Sequence, residues 1–258
     1  MLRLILLLVL IVGSGSICDA KEASAMSTKQ RKKMAPWVLP ENHPMKARLD
    51  AIFSASRVIL DKETFRAAGF HTFTVQPRSY VRVATHENLP GYVVKVYFDN
   101  EKRLKRNVEG WRWFVKRCEG AKRLSRIIKT KKIKHFVVAK KWIYVLPASS
   151  KSPVGEEYSP KSEILIAEDM NIVSHRRSRE AWKTVMTEKH LDELYWLVTY
   201  GKGGTFRPDN ICYTREGKFA FIDTEYTDRE SSLKMLSRYL SPEMGKYWKK
   251  LVDRGGPR

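Results

Sequence analysis

The period of the apolar residues changes along this chain, and that change limits the folds open to it. His71–Val75, Tyr80–Ala84 and Tyr92–Phe98 are short runs rich in β-branched and aromatic residues, the composition of strands. The first two flank the turn Gln76-Pro77-Arg78-Ser79, and the third follows Pro90-Gly91. Residues 102–128 then beat at the helical period, with Leu104, Val108, Trp111, Val115 and Cys118 on one stripe. Phe136–Val138 and Trp142–Leu146, with Lys140-Lys141 between them, read as a hairpin. Ile164–Ala167 reads as a short buried strand behind the polar linker Ala148–Ser162. Ahead of all these, Met45–Ala68 carries a helical beat through Leu49, Ile52, Phe53 and Leu60. After them the pattern is mostly helical. Trp182, Val185 and Met186 open a stripe that Leu191, Leu194, Tyr195 and Val198 continue. Leu233, Leu236 and Leu240 mark another helix, and Ser241-Pro242 caps a last one lined by Tyr247, Trp248, Leu251 and Val252. A strand-rich half before a helix-rich half implies two α+β lobes joined near residues 167–173.

Charge and cysteine content narrow the function classes. The 258 residues are 43% hydrophobic and carry a formal net charge of +21, which excludes a disordered chain, a collagen and a multi-span membrane protein. Three cysteines are too few for a disulfide scaffold. Residues 1–20 hold Arg3, the apolar run Leu4–Val12 and then small residues, the pattern of a secretory signal cut after Ala20. An uncleaved membrane anchor is the alternative. Removing this segment takes away Arg3 and Asp19, so the mature chain keeps its basicity, and export places it outside the cell or in a secretory lumen. Cys118 and Cys212 remain; export permits a disulfide between them, the alternative to the favoured reading as small buried hydrophobes. Residues 21–44 form a flexible arm. Lys122–Lys134 holds seven basic residues in thirteen, a face suited to an acidic protein, a polyanion or an anionic membrane. No nucleic-acid motif accompanies it, so no sequence-specific nucleic acid is expected. The histidines lack H-E-x-x-H spacing and no G-x-S-x-G occurs, which leaves zinc and esterase chemistry without support.

The stretch that carries chemistry runs from Gly201 through Asn210, across a short hairpin, to Phe221-Ile222-Asp223-Thr224-Glu225. Asn210 ends a loop, Ile211–Tyr213 and Phe219–Ile222 are the hairpin strands, and Asp223 follows thirteen residues after the asparagine. A hairpin of that length sets an amide oxygen beside a carboxylate, a pairing suited to a hard cation such as Mg²⁺.

With these residues the chain resembles the protein-kinase-like superfamily. The Gly201–Asn210 loop looks like its catalytic loop, and Ile222-Asp223-Thr224-Glu225-Tyr226 looks like its metal-binding turn, closest to choline-kinase-like and aminoglycoside-phosphotransferase-like members. Gly91-Tyr-Val-Val-Lys95 looks like the strand bearing the phosphate-pairing lysine, and Ala167-Glu168-Asp169-Met170 sits where the hinge falls. The resemblance spans residues 70–240. It implies a two-lobed α+β fold, with a strand-rich N-lobe over residues 45–166 and a small, mainly helical C-lobe over 167–258. It implies ATP and Mg²⁺ between the lobes. Lys95 would then pair the phosphates and Glu119 of the long helix, the glutamate nearer the apolar stripe than Glu109. Asn210 and Asp223 would hold the metal with help from Glu225, and Arg207 would face the transferred phosphate. Two positions depart from the family pattern. The catalytic aspartate's place, five residues before the asparagine, holds Thr205, whose hydroxyl is no general base near neutral pH. The turn at 76–79 has no glycine, leaving Arg78 as a point charge for the phosphates. The expectation is therefore a nucleotide-binding protein with weak, specialised or lost phosphotransfer, a pseudokinase, the alternative being a non-catalytic basic scaffold.

Overall fold

The computed structural model of the chain describes residues 26–73, 81–102, 104–153, 155–202, 206–225 and 233–257. Residues 1–20, the turn at 76–79 with Arg78, and Thr205 lie outside the described residues. Alternation along three strands decides the layering of the larger sheet. It comprises β1 (His71–Thr72), β2 (Arg82–Thr85), β3 (Tyr92–Val96), β5 (Lys141–Val145) and β6 (Glu163–Glu168), ordered β1-β2-β3-β6-β5 and antiparallel throughout. Val94 and Val96 of β3, Ile164 and Ile166 of β6, and Tyr144 of β5 turn to one face. There they bury against Phe53 of α2 (Lys46–Ser54) and Phe65 of α3 (Lys62–Ala67). The next residue along each strand must point the other way. Lys95, Leu165, Ile143 and Lys141 therefore share the opposite face, which is covered by α4 (Gly110–Thr130).

α4 is buried on more than one side, because it spans two layers. Trp111, Phe114, Val115 and Cys118 pack on the sheet with Met34 of α1 (Thr28–Met34). Leu124, Ile127 and Ile128, farther along, pack with α6 (Glu188–Gly201) and β4 (Phe136–Val138). The second core lies there, built from Trp182 of α5 (His175–Thr184), Leu191, Leu194 and Val198 of α6, and Trp248 and Leu251 of α7 (Pro242–Asp253). A three-stranded sheet, β4-β8-β7, borders this core, with β7 at Ile211–Tyr213 and β8 at Phe219–Phe221.

Five expectations change. The helix starts at Gly110, not residue 102, because Asn107 takes a left-handed conformation at φ 55° and Val108 is extended. Asparagine tolerates that conformation and so breaks the run. Met45–Ala68 is two helices, the second starting from an Asp61–Thr64 capping box. The stripe from Trp182 to Val198 is likewise split at the Thr187 capping box, and Leu233–Tyr239 is a 3₁₀ helix. β4 and β5 are not a hairpin. A two-residue hairpin turn needs positive φ, and neither Ala139 nor Lys140 has it. The chain instead continues straight on, pairing parallel with β8 in one sheet and then antiparallel with β6 in the other. The polar linker after β5 is pinned by Arg57, whose guanidinium grips buried Asp99 at 2.7 and 2.9 Å and the Ser150 carbonyl at 2.8 Å. No described helix is long and apolar enough to cross a membrane.

Candidate functional site

The β7–β8 hairpin ends against the α4-covered face of the larger sheet. Ile211 pairs with Phe221, and the Ile222 N–H donates to the Asn210 carbonyl at 3.0 Å, so Asn210 lies across the ladder from Ile222 and next to Asp223. Lys95 reaches over from β3, and its ammonium donates to the Ile222 carbonyl at 3.1 Å. Residues 127 positions apart in the chain thus meet at the hairpin's end.

α4 supplies an arginine to this point. Arg117 is buried at 2% exposure. Its Nε donates to the Asp223 carboxylate at 3.1 Å, and another guanidinium nitrogen donates to Glu225. Its Nη1 reaches the Tyr97 hydroxyl at 3.5 Å. The other Glu225 oxygen accepts from Lys105. Thr224 clamps the same turn of the helix, its hydroxyl donating to the Arg117 carbonyl at 2.6 Å. Burial alone would push the Asp223 carboxyl up and the Arg117 guanidinium down. Their mutual attraction wins in both, so Asp223, also near Lys95, stays ionised well below the usual carboxylate range and Arg117 well above its own.

A second lysine, Lys141 of β5, sits on this face. Register places it opposite Ala167, two residues along β6 from Leu165, which faces Lys95. Lys141 is 6% exposed, and its ammonium donates to the Ala139 carbonyl at 3.2 Å. Burial, then the nearby Lys95 charge, depresses it to about 7, and burial likewise lowers Lys95.

The sequence-derived residues separate into those brought together and those left apart. Lys95, Asp223 and Glu225 are brought together around the Ile222 carbonyl and Arg117, and Asn210 joins the hairpin end through its backbone carbonyl. Glu119 does not: it lies on the solvent stripe of α4 with Arg112, Lys122 and Arg126. The stripe used to place it included Leu104 and Val108, which precede the helix, and the buried arc extends through Trp113, Arg117 and Ala121 instead. Glu119 is thus replaced at the site by a residue of opposite sign. Arg207 is exposed; its backbone carbonyl accepts from the Asn210 and Ile211 N–H groups, both at 2.9 Å. Asp209 turns away to Arg179 of α5 at 2.9 Å. Arg117 and Lys141 were missed. The signal for Lys141 was its period-2 relation to Ile143, and that for Arg117 its i, i+4 spacing from Trp113 and Ala121.

These residues do not fit a divalent cation. Both Glu225 oxygens and one Asp223 oxygen are taken by guanidinium or ammonium groups. Two carboxylates meet four cationic side chains, Lys95, Lys105, Arg117 and Lys141, which repel an added cation and attract an anion. Among the described residues no group of three His, Cys, Asp or Glu side chains could hold a metal.

Elsewhere, Cys118 and Cys212 are free, buried thiols pushed up to about 12 by burial. The basic run after residue 121 is largely exposed, with Lys122 over the Trp37 ring and Lys131 over the Trp196 ring at 4.0 Å. An open hollow of about 720 Å³ lies among α5, α6 and α7, lined by lysines and acids in near balance, and shares no residue with the Lys95–Asp223 site. No protein-family model and no curated protein matches this chain.

Proposed function

We propose that this is an exported protein of the two-lobed, protein-kinase-like kind that binds the phosphate groups of a nucleotide, with phosphotransfer lost or strongly reduced. The observation that carries the reading is the meeting of Lys95 with the Ile222-Asp223 turn, a strand lysine from the first half and the acidic turn from the second. A buried ammonium whose acceptor is a backbone carbonyl is a ready partner for a phosphate oxygen. Loss of catalysis rests on two residues. Thr205 stands at the base position, and Asp209 is turned to α5. Export rests on the apolar run Leu4–Val12.

Equilibrium binding of ATP or ADP to the full chain tests this. Lys95→Met is expected to weaken binding by about tenfold or more, the loss of a charge-assisted hydrogen bond. Absence of binding in wild type, or equal binding by the variant, overturns it. A second reading, a basic scaffold for an acidic partner, is favoured by a separate observation, the exposed stripe Lys122, Arg126 and Lys129 on α4.

A further inference from the structure

The carboxylates of the 223–225 turn are already bridged by a cation, and it belongs to the protein. The Arg117 guanidinium touches both Asp223 and Glu225 from one buried position, and Lys105 completes Glu225. Tyr97 and the Thr224 clamp hold that arrangement from either side. Behind it, Lys95 and Lys141 flank β6 on one face of the sheet, both nearly inaccessible. Among the described residues neither ammonium makes an ion pair with a carboxylate; their acceptors are the Ile222 and Ala139 carbonyls. Two buried ammonium groups with that surplus leave positive charge that an anion would neutralise. Its lip is marked by Asp223 and Lys105, each keeping 26% of its side-chain exposure.

We infer that Arg117 stands in the place of a divalent cation here, so that the site takes a nucleotide's phosphate groups as a metal-free anion held by Lys95 and Lys141. This rests on the proposed nucleotide reading and adds to it the form of the ligand and a second lysine contact. A magnesium-bound nucleotide brings a cation into a neighbourhood that already holds four, whereas the bare phosphate neutralises two of them. The lowered Lys141 ammonium fits this role. It faces Lys95 from β3, Arg117 and Cys118 from α4, and Asp223 beyond β8, and a bound phosphate adjacent to it restores its proton.

The test is ADP binding to the full chain, in EDTA and in excess Mg²⁺. Wild type is expected to bind in EDTA and to bind about tenfold more weakly in excess Mg²⁺, which turns free ADP into the disfavoured magnesium complex. Lys141→Met is expected to bind about tenfold more weakly in EDTA, and to lose the decline in affinity that wild type shows as pH rises from about 7 to 9. Arg117→Gln frees Asp223 and is expected to acquire a dependence on Mg²⁺. Should that variant not fold, the wild-type and Lys141→Met arms still decide. Binding that requires Mg²⁺ in wild type, or that excess Mg²⁺ leaves unchanged, overturns the metal-free site and leaves the nucleotide reading intact. Unchanged binding by Lys141→Met removes the second lysine contact. No binding under either condition overturns both.

Discussion

Arg117 joins a helix to two acids from the far end of the chain, and its energetic role follows from its burial. Breaking a buried ion pair by removing one partner leaves uncompensated charge, costing about 3–5 kcal/mol. Arg117→Leu, which strands Asp223 and Glu225, is therefore expected to lose that much stability by urea denaturation. A loss under about 1 kcal/mol would show that the carboxylates find other partners. Lys141 is opposite in sign. Its ammonium titrates near 7 in the folded chain against 10.5 ordinarily. Between those values the unfolded chain binds the extra proton, so stability rises with pH across that window. Lys141→Met removes the penalty. Its gain over wild type is expected to be largest below pH 7, at most about 5 kcal/mol, and to fade toward pH 10.5. Glu163, buried against Gln30 and raised by burial to about 7, works in the acid range. The folded chain keeps its proton between 4.5 and 7 while the unfolded chain loses it, so stability falls with rising pH there. Glu163→Gln is expected to exceed wild type above pH 7, by up to about 3 kcal/mol, and to match it below pH 4.5. Thermal melts across pH check both signs.

Helix α4 is the element on which the site depends, since it carries Arg117 and packs on both layers. Its first residue is Gly110 because a Cβ there would sit 2.7 Å from the Tyr97 ring, itself buried and touching Arg117. Gly110→Ala is expected to shift that ring and destabilise the fold by about 1–3 kcal/mol, as overpacking does, and to weaken ADP binding through Arg117. A neutral effect in denaturation would mean that α4 can slide away from the sheet. Caps were the legible part of the elements. Ser241-Pro242 starts α7 as expected, the serine hydroxyl accepting from the Met244 N–H. The β7–β8 hairpin forms where its residues place it. The β4–β5 pairing was illegible, because two strands in series and two in a hairpin share one hydrophobic pattern and differ in the backbone angles of Ala139 and Lys140.

At the scale of the whole molecule, the charge of +21 is spread over the surface and concentrated at α4 and the residues beyond it. Such a surface attracts polyanions over roughly a Debye length, about 10 Å at 0.1 M salt. Retention on a heparin or phosphocellulose matrix is expected to fall steeply as salt rises, and neutralising Lys122, Arg126 and Lys129 together is expected to lower the eluting salt. Retention unaffected by salt would exclude the electrostatic scaffold reading. This surface is separate from the buried Lys95–Lys141 pair, so the triple variant is expected to match wild type in ADP binding, and the two proposed activities can be tested independently.

The chain's own order of apolar periods determined the α+β class, the long central helix and the hairpin that carries Asn210 and Asp223, because each of these is written in residues close together. Lys95 was also legible, as a charged residue inside an apolar strand where burial demands a reason, and Asp223 by its place just past the second strand of the hairpin. Which charges meet was decided by the tertiary structure alone. A helix buried on two layers exposes a narrower arc than one buried on a single face, so the solvent side of α4 falls at Glu119 and the inner side at Arg117. That choice, set by where α6 and the larger sheet press on the helix, turns an expected acidic partner into a basic one beside the 223–225 turn.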